Sequence, residues 1–581
     1  TKLNAFARSQ KPRAEAFNGF RRIFMNAPEF IVTYIKDGER LTNRSASTAD
    51  YSIEYSTSEK SFTAELEPNA DITLVKVDAV FDYDFTGKKF YSNGYQAWTT
   101  SKEYKKDEFA RGITPLAKGD LKKFAGLSAD CRFVKEPSRP GEFLSHTYTY
   151  IRTGNGIELM GSLSEKNGFT VFYADMNRNT LTFSKDVEGV TPQKTVPIFD
   201  IAFESGAYDD VFDAYFSRMN ISKPRIDRMT GYTSWYNYFQ KINEKIILRD
   251  LNALDCVKDS VSIFQIDDGF ETFVGDWLDE NPEKFPHGMK YIAEKIHEKG
   301  YSAGLWLAPF NVQIKSRTYR EHPDWVIRDK NGEAVLGCAG WGGAYTMDIY
   351  NEEVRAYIKH FFDVILNDWQ FDMVKLDFLY SQCMYPRNGK SRGTIMCEAM
   401  EFLRECCGDK LILGCGVPLG AAFGYVDACR TGCDVDLAYK GKFYNKLHIN
   451  REIPSAQNSI NNAVFRRHLN GRAFCNDPDV FFLRYSNLKF TTRQKLLLGG
   501  INHLFGGVLF VSDNAEEYRH EDVKALKKFF SHDSVKVLSC DEENGIFTID
   551  AEINGEERII KFDIISGDSN IPEILGLSAV R

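Results

Sequence analysis

Acidic side chains stand directly after short apolar runs in the middle of this chain. Asp267 and Asp268 follow Phe264-Gln-Ile266, Asp377 follows Met373-Val-Lys-Leu376, and Asp434 lies four residues past Arg430. Asp477 and Asp479 sit within Asn476-Asp-Pro-Asp479. A carboxylate buried at the end of a strand is costly unless it is paired or used. Two such groups can split a glycosidic bond: one attacks the anomeric carbon, and the other protonates the leaving oxygen and then activates water. Further carboxylates accept hydrogen bonds from sugar hydroxyls. Trp235 and Trp306, at other run ends, offer flat apolar faces to a ring. Lys375 and Arg430 favour the ionised form of Asp residues beside them.

Plainer readings compete. An Asp after a strand often caps the next helix, and Asn-Asp-Pro-Asp is a natural turn, so Asp477 and Asp479 are read first as turn residues. Asp436, two residues past Asp434, rivals it for the same role. Coincidence explains one such Asp. It does not explain Asp-Asp, Lys-x-Asp and Arg-x-x-x-Asp on three run ends.

Eight strands are needed to bring these ends together. The candidates are Tyr232–Tyr238, Ser262–Asp268, Ala303–Phe310, Met373–Leu379, Leu411–Gly416, Ala428–Cys433, Ala473–Asn476 and Val508–Ser512. Helical periodicity separates most of them. Met289, Ile292 and Ile296 share a face before a capping Gly300, and Val354, Ile358, Phe361 and Ile365 do the same one unit later. Such alternation indicates a (β/α)8 TIM barrel over residues 226–533, whose active site lies at the C-terminal strand ends. Upstream, residues 1–225 carry short β-rich runs such as Ile72–Phe81, His146–Ile151, Ile157–Met160 and Thr180–Phe183, the pattern of a β-sandwich. Residues 534–581 return to strands and read as a C-terminal antiparallel β-domain. Gly414-Cys-Gly-Val-Pro-Leu-Gly420 lacks the dinucleotide spacing and is not read as a nucleotide loop.

Composition narrows the function classes. The chain has 581 residues, 43% hydrophobic and 27% charged, with a formal net charge of −8. An evenly mixed, mildly acidic surface disfavours nucleic acid or an anionic membrane as partner. No apolar stretch reaches the roughly 18 residues of a membrane span. The 12 cysteines include no Cys-x-x-Cys pair, so a zinc site of ordinary spacing is not expected and a reducing, cytoplasmic setting is. Neither a metal nor an organic cofactor is expected. Two other classes remain in view: a Mg²⁺-dependent barrel enzyme using Asp267, Asp377 and Asp434 as ligands, and a catalytically silent sugar-binding protein.

The stretches SWYNYF, FQIDDGFET with GDWL, GLWLAPF, EHPDW, KLDFLY, LGCGVPLGAAFGYVDACRTGCD and NDPD, with NGYQAW upstream, resemble alpha-galactosidases of glycoside hydrolase family thirty-six. The resemblance covers roughly residues 91 to 513 and implies a β-supersandwich, a (β/α)8 barrel and a C-terminal antiparallel β-domain. It places the nucleophile on Asp377 and the general acid/base on Asp434, with Arg430 beside the latter. Asp267 and Asp268 fall on the pair that grips the galactose 4- and 6-hydroxyls, and Lys375 on a hydroxyl contact. Trp235 and Trp306 fall on pocket walls, Cys415 and Gly416 on the part facing the 2-hydroxyl, and Trp98 on a residue that the sandwich lends to the pocket. Cys433 departs from relatives that carry Pro there. The implied activity is retaining, exo-acting removal of terminal alpha-galactose from oligosaccharides or galactosides, with an alpha-N-acetylgalactosaminidase or a transglycosylase as the alternative on the same scaffold. In a retaining site the two carboxyls lie about 5–5.5 Å apart. Assembly state is left open, because the family includes longer, tetrameric members.

Overall fold

The computed structural model describes residues 26–577 except 111, 114–129, 155, 442–446 and 449–451. The outer ends of the expected sandwich and C-terminal ranges, residues 1–25 and 578–581, lie outside the described residues.

Two antiparallel sheets stack near the N-terminus. One has six strands, in the order Glu39–Asn43, Glu29–Lys36, Thr73–Asp82, Thr180–Asp186, Phe169–Asp175, Glu142–His146. The other has seven, in the order Tyr51–Thr57, Ser61–Pro68, Val196–Gly206, Gly156–Ser162, Tyr148–Thr153, Lys89–Ser92, Lys102–Tyr104. Alternating inward residues supply a core rich in phenylalanine, including Phe62, Phe81, Phe183 and Phe199. The run His146–Ile151, expected as one strand, is split. Thr147 has φ = 67°, and there the chain leaves one sheet for the other. A positive φ breaks the extended backbone that pairing requires. The second sheet ends in a hairpin whose loop, residues 93–101, contains Trp98.

The middle of the chain forms an eight-stranded parallel sheet curled into a nearly closed barrel. We number its strands β1 (Met229–Thr233), β2 (Ile263–Ile266), β3 (Ser302–Leu307), β4 (Met373–Leu376), β5 (Leu411–Gly414), β6 (Ala428–Arg430), β7 (Cys475–Asp477) and β8 (Val508–Val511). Strand β8 pairs in parallel with β1, and the Gly507 amide donates to the Asn476 carbonyl at 2.9 Å across the remaining seam. All eight expected strands are present, but most end earlier than expected. The clearest correction is β1: it stops at Thr233, and Trp235–Tyr238 is a helical turn. The apolar run continues into this turn, so apolar content outruns the strand. The helices Gly288–Glu298 and Glu352–Asp363 bury the expected faces, Met289, Ile292 and Ile296 in one and Val354, Ile358 and Phe361 in the other. Three antiparallel strands, Val535–Glu543, Ile546–Ile553 and Glu556–Asp563, follow the barrel.

Candidate active site

Asp377 follows β4 directly. Its amide donates to the Leu307 carbonyl of β3 at 2.9 Å, which carries the ladder one residue past the strand. The carboxyl accepts from the Trp306 indole Nε1 at 3.2 Å and from the Phe378 amide at 2.8 Å. It caps no α-helix, since the next one, Arg392–Cys407, is capped by Ser391. Burial pushes the Asp377 carboxyl above its ordinary range. The charge of Lys375 and hydrogen bonds from Cys415 and Trp306 oppose this, while the charge of Asp434 adds to it.

Lys375 does not pair with Asp377 directly. Its Nζ sits 2.8 Å from Asp267 Oδ2, with both side chains buried. Burial disfavours the ammonium, but the attraction of Asp267 outweighs it, so Lys375 stays charged. Asp267 also accepts from Gln265 Nε2 at 2.8 Å, from Thr233 Oγ1 at 3.3 Å and from the Asp268 amide at 3.0 Å. The neighbouring Asp268 points to a different set of donors. Gln240 Nε2 bridges both its oxygens at 3.1 and 2.9 Å, and Trp341 Nε1 donates at 2.8 Å. The adjacent aspartates therefore divide between two clusters, one cationic and one neutral.

Asp434 follows β6 and is the most open of the carboxylates, with 41% of its side chain exposed. Its Oδ1 accepts from Arg430 at 2.7 Å and from the Trp98 indole at 3.3 Å. Arg430 is buried, and the same Nη2 contacts Asp479 Oδ2 at 2.7 Å. The rival Asp436 has φ = 58° and accepts from the next amide, Leu437, at 2.6 Å. Gly416 closes the wall between β5 and the sandwich loop. At its φ of 58° a Cβ would stand 2.9 Å from Trp98 Cη2 and 3.0 Å from the Phe378 amide, so only glycine fits. The Cys415 thiol lies beside Asp377 and is raised far above its ordinary range by burial and by that carboxylate.

The expected residues Trp98, Asp267, Asp268, Trp306, Lys375, Asp377, Cys415, Gly416, Arg430 and Asp434 thus share one barrel mouth. Trp235 is the outlier. It is half-buried at the end of β1, and its described ring contact is with the exposed Phe239, 5.1 Å away and edge-on.

Several groups in the site escaped the sequence reading. Trp341, in the long excursion between β3 and β4, packs against Trp306 and Phe378 at 5.9 and 5.1 Å. Glu271, three residues past Asp268 and almost fully buried, hydrogen-bonds it. Burial and the Asp268 charge raise this carboxyl well above its ordinary range. Asp479 accepts from the Tyr236 hydroxyl and from the Val435 amide at 2.9 Å; burial and Asp434 lift it to about 7 against the pull of Arg430. Asp477 keeps its turn role and accepts from the Asp479 amide at 2.9 Å. Glu452, whose Oε1 lies 3.5 Å from Gln96 Nε2, is lifted to about 8 by burial and by Asp434, Asp130 and Asp377. Asp477 and Asp479 lie within NDPD, which a turn explains equally well, and Glu271 lies within FQIDDGFET with no role of its own suggested there. Among the described residues, no group of three or more His, Cys, Asp or Glu side chains is arranged to hold a metal ion.

Known proteins resemble this chain in sequence and fold. Residues 234–393 match the melibiase family model. A stretch of 151 residues is 34% identical to an A type blood alpha-D-galactosamine galactosaminidase of Flavonifractor plautii, covering 24% of this chain and 14% of that protein. Another of 124 residues is 27% identical to alpha-galactosidase 1 of Pediococcus pentosaceus, covering 20% of this chain and 16% of that protein. These aligned stretches span less than a fifth of either curated relative. The likeness to solved structures is broader. An alpha-galactosidase of Thermus thermophilus, solved with p-nitrophenyl alpha-D-galactopyranoside, superposes with a TM-score of 0.66 at 25% identity, over 85% of this chain and 96% of that one. The family thirty-six alpha-galactosidase of Geobacillus stearothermophilus shares the fold, with a TM-score of 0.58 at 12% identity over 91% and 81% of the two chains. Residues 234–393 thus match the melibiase family, and the fold over most of the chain is that of solved alpha-galactosidases, one of them of glycoside hydrolase family thirty-six.

Proposed function

We propose that this protein is a retaining, exo-acting alpha-galactosidase that removes terminal alpha-linked galactose from oligosaccharides or simple galactosides by double displacement. The observation that carries the reading is the contrast between two carboxyls at one mouth. Asp377 is buried and oriented by an indole and an amide, as a nucleophile requires, while Asp434 is half-exposed beside an arginine, where it can exchange protons with a leaving group and with water. Asp377 attacks the anomeric carbon as Asp434 gives its proton to the leaving oxygen. The covalent intermediate removes the charge on Asp377, and Asp434 then takes a proton from water, whose attack restores the alpha configuration.

Asp267 and Asp268 supply acceptors for the 4- and 6-hydroxyls, and Lys375 donates to a neighbouring hydroxyl. Cys415 and Gly416 face the 2-hydroxyl. Trp98 and Trp306 wall the pocket, which suits terminal rather than internal sugars. No step calls for a metal or organic cofactor. The described cysteines are all free thiols, which supports a cytoplasmic setting, and no helix of the described residues is long and apolar enough to cross a membrane.

The similarity to a galactosaminidase favours a second reading, action on 2-amino or 2-acetamido galactosides. Paired p-nitrophenyl alpha-galactoside and alpha-N-acetylgalactosaminide substrates separate the two. Proton NMR of the galactoside reaction should show alpha-galactose first. Beta-galactose as the first product would overturn the retaining mechanism, and turnover confined to the amino sugar would overturn the substrate assignment.

A further inference from the structure

One guanidinium holds the sandwich loop against the barrel. Arg466 is fully buried just past the helix Ala456–Phe465 and donates all five of its N–H groups. Nε reaches Ser101 Oγ at 2.9 Å. Nη2 reaches the carbonyls of Gln96 and Thr99 at 2.9 and 3.0 Å. Nη1 reaches the carbonyls of Ala97 at 3.0 Å and Thr431 at 2.6 Å. Four of these bonds encircle Trp98, and the fifth crosses to the turn that connects Arg430 to Asp434.

The approach is close enough to dictate sequence elsewhere. A Cβ on Gly94 would stand 2.8 Å from Arg466 Nη2. The same helix face adds two asparagines at four-residue spacing. Asn462 Nδ2 donates to the carbonyls of Ala97 and Thr99 at 3.1 and 3.0 Å, and Asn458 Oδ1 accepts from the Thr100 hydroxyl at 3.0 Å. The indole of Trp98 then contacts both ends of the chemistry: Nε1 donates to Asp434, and the ring lies 5.6 Å from Phe378, the residue after Asp377. A rigid planar fork suits this task, because each donor fixes one carbonyl and the plane fixes their mutual geometry.

We infer that Arg466 is a positioning residue that locks the Trp98 loop of the sandwich and the Thr431–Asp434 turn of the barrel into one unit, so that indole and acid/base carboxyl keep a fixed relation. Its kinetic consequence rests on the proposed role of Asp434; its structural consequence does not. Arg466→Lys keeps the charge and loses the fork. Arg466→Gly leaves room for free guanidinium.

In selectively ¹⁵N-labelled protein, with the Trp98 indole signal assigned through Trp98→Phe, that signal should shift in both Arg466 variants. Guanidinium added to Arg466→Gly should return it toward the wild-type position. Raffinose-type substrates, whose leaving groups need the proton, should slow about tenfold or more in Arg466→Lys, while p-nitrophenyl galactoside slows far less, because a small displacement of a catalytic group is costly. An unmoved Trp98 signal would overturn the inference, whatever happens to stability. A moved signal with both substrates slowed equally would limit Arg466 to holding the loop and overturn its link to the acid/base. If the wild type turns over no galactoside, the proposed function falls, and the Trp98 signal still decides whether Arg466 sets the loop.

Discussion

Burial pulls the carboxyls of Asp268, Glu271, Asp377 and Asp479 toward their neutral forms, and the neighbours of each oppose or add to that pull. Lys375 is spent on Asp267, and Arg430 is shared by Asp434 and Asp479. Among the described residues no cation contacts Asp268, which relies on Gln240, Trp341 and Glu271. That arrangement predicts a pH signature. With its folded value raised above the ordinary 4.5, Glu271 contributes stability that is complete below that value and is lost as pH rises through the folded one. The melting temperature of the wild type minus that of Glu271→Gln should therefore shrink as pH rises from 4.5 across the neutral range; a flat difference would mean that Glu271 titrates ordinarily. A second prediction concerns Asp434→Ala. Substrates with poor leaving groups should lose far more rate than nitrophenyl galactoside, and azide should restore part of the second step as an alpha-linked azide. If Asp436→Ala shows this pattern and Asp434→Ala does not, the acid/base is misassigned. Asp267, Lys375, Asp377 and Arg430 were legible in the sequence because a charge straight after an apolar run is conspicuous. Glu271, Trp341 and Arg466 were not, because each acts through a partner far along the chain or from a loop without periodicity.

The strands were legible from their apolar runs, and their ends were not. The β4 ladder stops just before the backbone turns at Phe378, with φ = 54° immediately after Asp377. A hydrophobic count does not register such a bend, and the apolar run Tyr232–Tyr238 continues through a helical turn that the strand does not enter. The excursion between β3 and β4 is the element that changed the site most. Its small sheet of Asn311–Gln313, Ala344–Thr346 and Leu336–Cys338 carries Trp341 to Asp268 on a residue with φ = 57°. Trp341→Phe keeps the ring contacts and removes the indole donor. We expect KM for a galactoside to rise about tenfold with kcat changed less, from the loss of a charge-assisted hydrogen bond of roughly 1.5 kcal/mol. Unchanged KM would show that Gln240 and Glu271 suffice to hold Asp268.

At the scale of the whole molecule, the sandwich forms part of the barrel mouth as well as a fold of its own. The hairpin loop at residues 93–101 is gripped by Arg466, Asn462 and Asn458 and brings Trp98 over the barrel. Sequence patterns separated sandwich from barrel because the periodicity changes from two to that of alternating strand and helix. They gave no sign of the grip, which consists largely of bonds from side chains to carbonyl oxygens. Chemistry by two carboxylates also predicts that exhaustive dialysis against a chelator leaves kcat unchanged; loss reversed by Mg²⁺ would favour metal-assisted chemistry by Asp267, Asp377 and Asp434 instead. The proposed function turns on a covalent bond from Asp377 to the sugar. Incubation with an activated fluorinated alpha-galactoside, followed by peptide mass spectrometry, tests it most directly. The account predicts a galactosyl adduct on the peptide bearing Asp377 that is absent from Asp377→Ala; an adduct on any other carboxylate would contradict it.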